Sequence, residues 1–159
     1  FPGSKTLDRG NILRVDFGAV FGGYQSDVAR TAVIGPPNDE QRSIYKRLLE
    51  VQKDTIAAAR PGVRACDIYN TYKRGIEKRG LPVISQAIGH GLGIGLHEFP
   101  VLQAGEKAEI KPGMVLNVEP AVVDSKGFVY HKEDLFVVTE DDPKILTTVM
   151  DTEDLFVIQ

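Results

Sequence analysis

Two pairs of acidic residues sit symmetrically about two turns, and that pattern constrains this chain more than any other feature. In Asn11-Ile-Leu-Arg-Val-Asp16-Phe-Gly18 and Gly23-Tyr-Gln-Ser-Asp27-Val-Ala-Arg-Thr31, the midpoint between the aspartates falls at Phe21-Gly22. A two-residue hairpin loop there would set Asp16 directly opposite Asp27. In Met114-Val-Leu-Asn-Val-Glu119 and His131-Lys-Glu133-Asp-Leu-Phe-Val-Val-Thr139, the midpoint is Lys126, within Asp124-Ser-Lys-Gly127. A short loop there faces Glu119 against Glu133. Opposite residues on antiparallel strands have Cβ atoms about 4.5–5.5 Å apart. Like charges that close repel, so two such hairpins call for something cationic between them.

His90 supplies a fifth donor. Four carboxylates and a neutral imidazole carry a charge of about −4, which two divalent cations would cancel, and paired hydrolytic metals sit roughly 3.5–4 Å apart. Any one of these acids taken alone reads as an ordinary solvated residue on a strand end. Both symmetric pairs together with a histidine segment read as a metal site.

The bulk properties exclude several classes. The chain has 159 residues, the size of one domain, and enough apolar content for a core. No run approaches the roughly 18 apolar residues of a membrane helix, so no membrane partner is expected. The net charge of −3 comes without a basic stripe, which argues against nucleic acid. Cys66 is the lone cysteine, which excludes an intrachain disulfide and points to a reducing, cytoplasmic compartment.

Residues 11–18 and 23–34 read as a strand hairpin broken by Gly22-Gly23 and ended by Gly35-Pro-Pro37. Asn38 caps a helix, with Gln41 placed for the reciprocal bond and Ile44, Leu48, Val51, Thr55 and Ile56 along one face. Arg60-Pro-Gly62 stops it, and a shorter helix runs from about Ala65 to Lys78, ending at Gly80. A glycine-rich strand segment at 86–99, a loop through 103–113, a second hairpin (114–123 and 128–139) and a short tail strand within 145–159 follow. The order predicts an α+β fold, with helices covering one face of an antiparallel-rich sheet, in a single domain over residues 1–159. The similar parts played by the two hairpins hint at internal two-fold symmetry. On that hint, and because Phe1-Pro-Gly3 opens without methionine, the N-terminal part of the domain is expected to be missing.

Ile88-Gly-His90-Gly-Leu-Gly-Ile-Gly-Leu-His97-Glu-Phe-Pro100 carries two histidines seven positions apart. A nucleotide loop would need a following helix, and none is signalled. Glycine this dense suits backbone that passes close to other groups with no side chain in the way.

At these residues the chain resembles the pita-bread metallopeptidases: methionine aminopeptidases, aminopeptidase P and prolidases. Asp16-Phe-Gly18 and Asp27-Val-Ala-Arg-Thr31 match that family's aspartate motifs, His90-Gly-Leu-Gly through His97-Glu-Phe-Pro100 its histidine signature, and Val118-Glu119-Pro120 and Lys132-Glu133-Asp134 its glutamate motifs. The resemblance covers nearly the whole chain and implies the pita-bread fold. It implies metal ligands at Asp16, Asp27, His90, Glu119 and Glu133, with Asp27 and Glu133 bridging two divalent ions, Mn or Co first, Fe or Zn as alternatives. It further implies a bridging water or hydroxide as nucleophile, Glu119 as general base, and His97 as a substrate-binding group that stabilises the tetrahedral intermediate.

Val118-Glu-Pro120 and the Thr139-Glu140 and Leu146-Thr147 ending look more like the proline-directed branch. The implied activity is hydrolysis of Xaa-Pro bonds in a peptide or dipeptide. A methionine aminopeptidase or other C–N hydrolase, and an inactive binding module on the same scaffold, are the alternatives. Many proline-directed members carry arginine where this chain has His131. His131 shares a strand face with Glu133, as a substrate or ligand-shell contact or as a partly exposed strand residue. The absent first part, including a substrate-binding histidine expected just before Phe1, would leave edges that favour a homo-oligomer, a dimer in the simplest case.

Overall fold

A computed structural model describes residues 4, 6–148 and 153–159. Phe1-Pro-Gly3, and residues 149–152 of the expected tail, lie outside the described residues. The chain adopts the expected α+β arrangement: two helices pack together over antiparallel-rich sheets.

The first hairpin consists of β1 (Ile12–Phe17), β2 (Val20–Phe21), β3 (Tyr24–Gln25) and β4 (Val28–Ile34). Its register corrects the expected one. Phe21 pairs with Tyr24 and Asp16 pairs with Ala29, so Asp27 lies diagonal to Asp16 rather than opposite it. The loop is Gly22-Gly23, not Phe21-Gly22. Tight hairpin turns favour positive φ at their central residues, and these two glycines take φ of +59° and +86°. Backbone chirality at the turn, rather than charge symmetry, thus sets the register.

Helix α1 (Asp39–Ala57) begins with the expected capping box. The Asn38 side chain accepts from the Gln41 N–H at 2.9 Å, and the Gln41 side chain accepts from the Asn38 N–H at 3.0 Å. Ile44, Leu48, Val51, Thr55 and Ile56 are all buried. Helix α2 (Ala65–Lys78) ends before Gly80, whose φ is +64°. These helices cover a core that includes Ile68, Tyr72, Ile88, Leu102, Leu116, Val118, Tyr130 and Phe136.

The larger sheet contains β5 (Ala87–Gly91), β6 (Glu98–Gln103), β7 (Val115–Val118), β10 (Asp134–Val137) and β11 (Lys144–Ile145), in the order β11-β10-β7-β5-β6. A ribbon of β8 (Ala121–Val123) and β9 (Val129–His131) continues the second hairpin. The tail strand is β12 (Phe156–Ile158), parallel to β4.

In the second hairpin Val118 pairs with Asp134 and Ala121 with His131. One register therefore runs through both ladders, and Glu119 faces Glu133 as expected. Between the ladders the pairing lapses, and carbonyls left inside the protein need donors. Buried Gln52 of α1 supplies them: its amide donates to Val118 O at 3.2 Å and Lys132 O at 3.1 Å.

Candidate metal centre

The site forms where these interruptions meet, on the face of the sheet away from the helices. Along β7, Leu116 and Val118 enter the core, and alternation turns Asn117 and Glu119 to the other face. The β5 strand needs a further device, because Ile88 and His90 have the same parity. The β5–β6 register shifts between Ala87 and His90 and again between His90 and Gly91. Such irregularities re-aim side chains, so Ile88 stays in the core while His90 joins the site. The first hairpin is docked by Thr31, whose hydroxyl donates to His131 O at 2.7 Å and accepts from the His131 N–H at 2.8 Å. The Glu133 N–H donates to Ala29 O at 3.1 Å.

All seven candidate residues come together here. Asp16, Asp27, His90, His97, Glu119 and Glu133 line one open cleft of about 510 Å³, and His131 lies behind it. Ligand atoms of Asp27, His90 and Glu133 lie within 4.8 Å of one another, as do those of Glu119, His131 and Glu133. His90 Nε2 is 3.7 Å from Glu119 Oε1 and 4.0 Å from Asp27 Oδ2. The His97 ring centre is 4.2 Å from that of His90. A second cleft, of about 380 Å³, is lined by Leu49, Ile56, Pro143 and Thr147 among others and holds none of the seven.

Burial, at 3 % exposure, excludes the reading of His131 as a partly exposed strand residue. Its Nδ1 is 3.7 Å from Asp16 Oδ2 and its Nε2 is 3.8 Å from Glu119 Oε2. Both separations exceed hydrogen-bond length.

The electrostatics reflect crowded acids. Burial, with the nearby charges of Asp27 and Asp16, pushes the Glu119 carboxyl up to about 7. Burial, Asp27 and Glu119 push Glu133 up to about 8, against a hydrogen bond from Asn117. Asp27 is raised by burial and by Asp16. Burial lowers His90, and lowers His131 to about 4, so both imidazoles are neutral near pH 7.

Asn117 is the residue that motif reading missed. Its Oδ1 accepts from the His90 N–H at 2.6 Å, and its amide nitrogen lies 3.0 Å from His90 Nε2 and donates to Glu133 Oε1. An asparagine between Leu116 and Val118, two positions from Glu119, was the available signal. A polar group in a buried strand needs partners.

The model of metallopeptidase family M24 matches residues 1–140. The chain belongs to that family. The Xaa-Pro dipeptidase of Pyrococcus furiosus is 35 % identical over 144 residues, covering 90 % of this chain and 41 % of the relative. The crystal structure of X-Pro aminopeptidase from Thermotoga maritima MSB8 superposes with a TM-score of 0.90 at 28 % identity, over 98 % of this chain and 44 % of that one. Dipeptidase PepE from Mycobacterium ulcerans gives 0.89 at 30 % identity, over 98 % and 42 %. The fold of this M24 chain is thus the pita-bread fold of the resemblance. The chain spans about two fifths of the length of these relatives.

Proposed function

We propose that this M24 chain carries the metal centre of a dinuclear exopeptidase that hydrolyses Xaa-Pro bonds, as a dipeptidase or N-terminal aminopeptidase. The observation that carries the reading is the convergence of Asp16, Asp27, His90, Glu119 and Glu133 on one cleft from four separated segments. The donors fit divalent ions. The spacing of 3.7 Å from His90 to Glu119 and 4.0 Å to Asp27 is too long for hydrogen bonds and suits ligands sharing an ion. Acids raised by one another's charge also gain from a cation. In this reading Asp16 serves one metal, His90 and Glu119 the other, and Asp27 and Glu133 both. The oxygen-rich set suits Mn or Co, with Fe or Zn as alternatives.

Two such ions, when bound, lower the pKa of a water and polarise the scissile carbonyl. The chain's own groups do the rest. Glu119 accepts a proton at its carboxylate and delivers it to the departing amine. His97, exposed at the cleft beside His90, donates a hydrogen bond to the carbonyl oxygen as charge develops there. The reading takes a peptide as substrate. It keeps the reducing cytoplasm suggested by Cys66 and a dimer, in keeping with the exposed Phe21 and Tyr24 at the hairpin tip. Among the described residues, no helix is long and apolar enough to cross a membrane.

The test is release of proline from Xaa-Pro dipeptides, and of the first residue from longer Xaa-Pro peptides, by purified protein with Mn²⁺ or Co²⁺. Glu119→Ala should abolish it. Turnover of Met-peptides instead would favour the methionine aminopeptidase alternative. No hydrolysis by the full-length protein with any divalent metal would overturn the peptidase reading and favour a binding module.

A further inference from the structure

We propose that His131 is a sixth ligand of the metal centre, binding the ion that Asp16 holds, so that each of the two ions carries its own imidazole. The inference rests on the metal reading above and extends it to a residue outside the five-ligand set.

Three observations carry it. First, His131 stands among the same acids as His90. His90 Nε2 stands 3.7 Å from Glu119 and 4.0 Å from Asp27. His131 meets its acids through two nitrogens, with Nε2 3.8 Å from the other oxygen of Glu119 and Nδ1 3.7 Å from Asp16. Glu133 completes both groups, with ligand atoms within 4.8 Å in each. The two imidazoles thus flank Glu119, and each reaches a different aspartate of the first hairpin.

Second, His131 has a buried polar atom with nothing to bond. It is 3 % exposed, and its Nδ1 has no hydrogen-bond partner among the described residues. Leaving a buried polar group unmade is costly. The neighbour of Nδ1 is an Asp16 carboxylate oxygen at 3.7 Å, beyond hydrogen-bond reach, and an ion between them would satisfy nitrogen and oxygen together.

Third, the backbone that carries the ring is fixed. Thr31 bonds both the N–H and the carbonyl of His131, and Tyr130 and Lys132 on either side are themselves buried. A ligand held this way is preorganised and loses little freedom on binding metal. An added nitrogen donor also changes selectivity, moving an oxygen-rich centre toward Co and Zn and away from Mn.

X-ray absorption of purified protein loaded with two equivalents of Co²⁺ tests this directly, because scattering from imidazole rings gives their number per metal. Two histidines shared by two ions give one ring per metal, and His90 alone gives one half. We expect one in the native protein, falling to one half in His131→Ala and staying at one in His97→Ala. We also expect the second Co²⁺ to bind at least tenfold more weakly in His131→Ala, with the preference for Co²⁺ over Mn²⁺ reduced. A residue that only oriented the carboxylates could weaken metal binding too, so the ring count decides. A native count of one half, or a count of one that survives His131→Ala, overturns the proposal while leaving the peptidase reading intact. The native measurement stands even if His131→Ala does not fold, and His131→Gln then serves as the second variant. Protein that takes up no Co²⁺ overturns both readings.

Discussion

Asn117 grips His90 at two points: its carbonyl oxygen accepts from the His90 N–H at 2.6 Å, and its amide nitrogen lies 3.0 Å from His90 Nε2. The same amide donates to Glu133. One fully buried side chain therefore sets the orientation of two proposed ligands, one on β5 and one just before β10.

Asn117→Ala removes both grips and leaves the His90 N–H unsatisfied. A stranded buried donor costs about 1–3 kcal/mol, so chemical denaturation should report a loss in that range. Metal affinity, measured by competition with a chelator, should fall about 10–100-fold, as for other residues that orient ligands. Unchanged affinity would mean that His90 needs no such support.

Gly89 and Gly91 flank His90 at close approaches. A Cβ at Gly89 would meet the Asn117 carbonyl oxygen at 2.2 Å, and one at Gly91 the Phe99 carbonyl oxygen at 2.5 Å. In both cases the obstacle is backbone, which cannot swing aside. Gly89→Ala and Gly91→Ala should each cost upwards of about 2 kcal/mol, whereas Gly75→Ala in α2, without positive φ and with contacts no closer than 3.6 Å, should show no such clash. Thermal melts of the three variants check this.

Metal-free protein should lose stability as pH rises from about 6.5 to 8. Glu119 and Glu133 are raised to about 7 and 8 from an ordinary value of 4.5. The folded state therefore binds more protons than the unfolded one across that window, and stability falls with rising pH. The lowered histidines work in the opposite sense, gaining stability as pH rises, and do so below 6.5. A loss of 1 kcal/mol shifts the midpoint by about 2–4 °C for a chain of this size. Melts in EDTA at pH 6.5 and 8 should show the decline, and added Mn²⁺ or Co²⁺ should raise the midpoint, most at pH 8. Identical midpoints with and without EDTA would count against an occupied site.

Much of this was legible from local chemistry. The Asn38–Gln41 cap, the apolar face of α1 and the end of α2 near Gly80 depend on neighbours within a few positions, so the local sequence carries all three. The Glu119–Glu133 register followed from the turn at Lys126. The Asp16–Asp27 register did not, because the choice between Phe21-Gly22 and Gly22-Gly23 turns on backbone φ rather than charge symmetry. Asn117 and Gln52 escaped notice because their partners lie on other elements, and nothing in the local sequence reveals which carbonyls a broken ladder leaves bare. The placement of His131 beside Glu133 was legible by parity, but its burial was not.

In the proposed function these carboxylates and imidazoles hold two divalent ions. Titration calorimetry of purified, metal-stripped protein with Co²⁺ or Mn²⁺ counts them. Two ions per chain are expected, falling to one or none in Asp27→Ala, which removes a carboxylate proposed to serve both ions. A stoichiometry of zero in the intact protein, or two ions bound as tightly after Asp27→Ala, would overturn the metal reading.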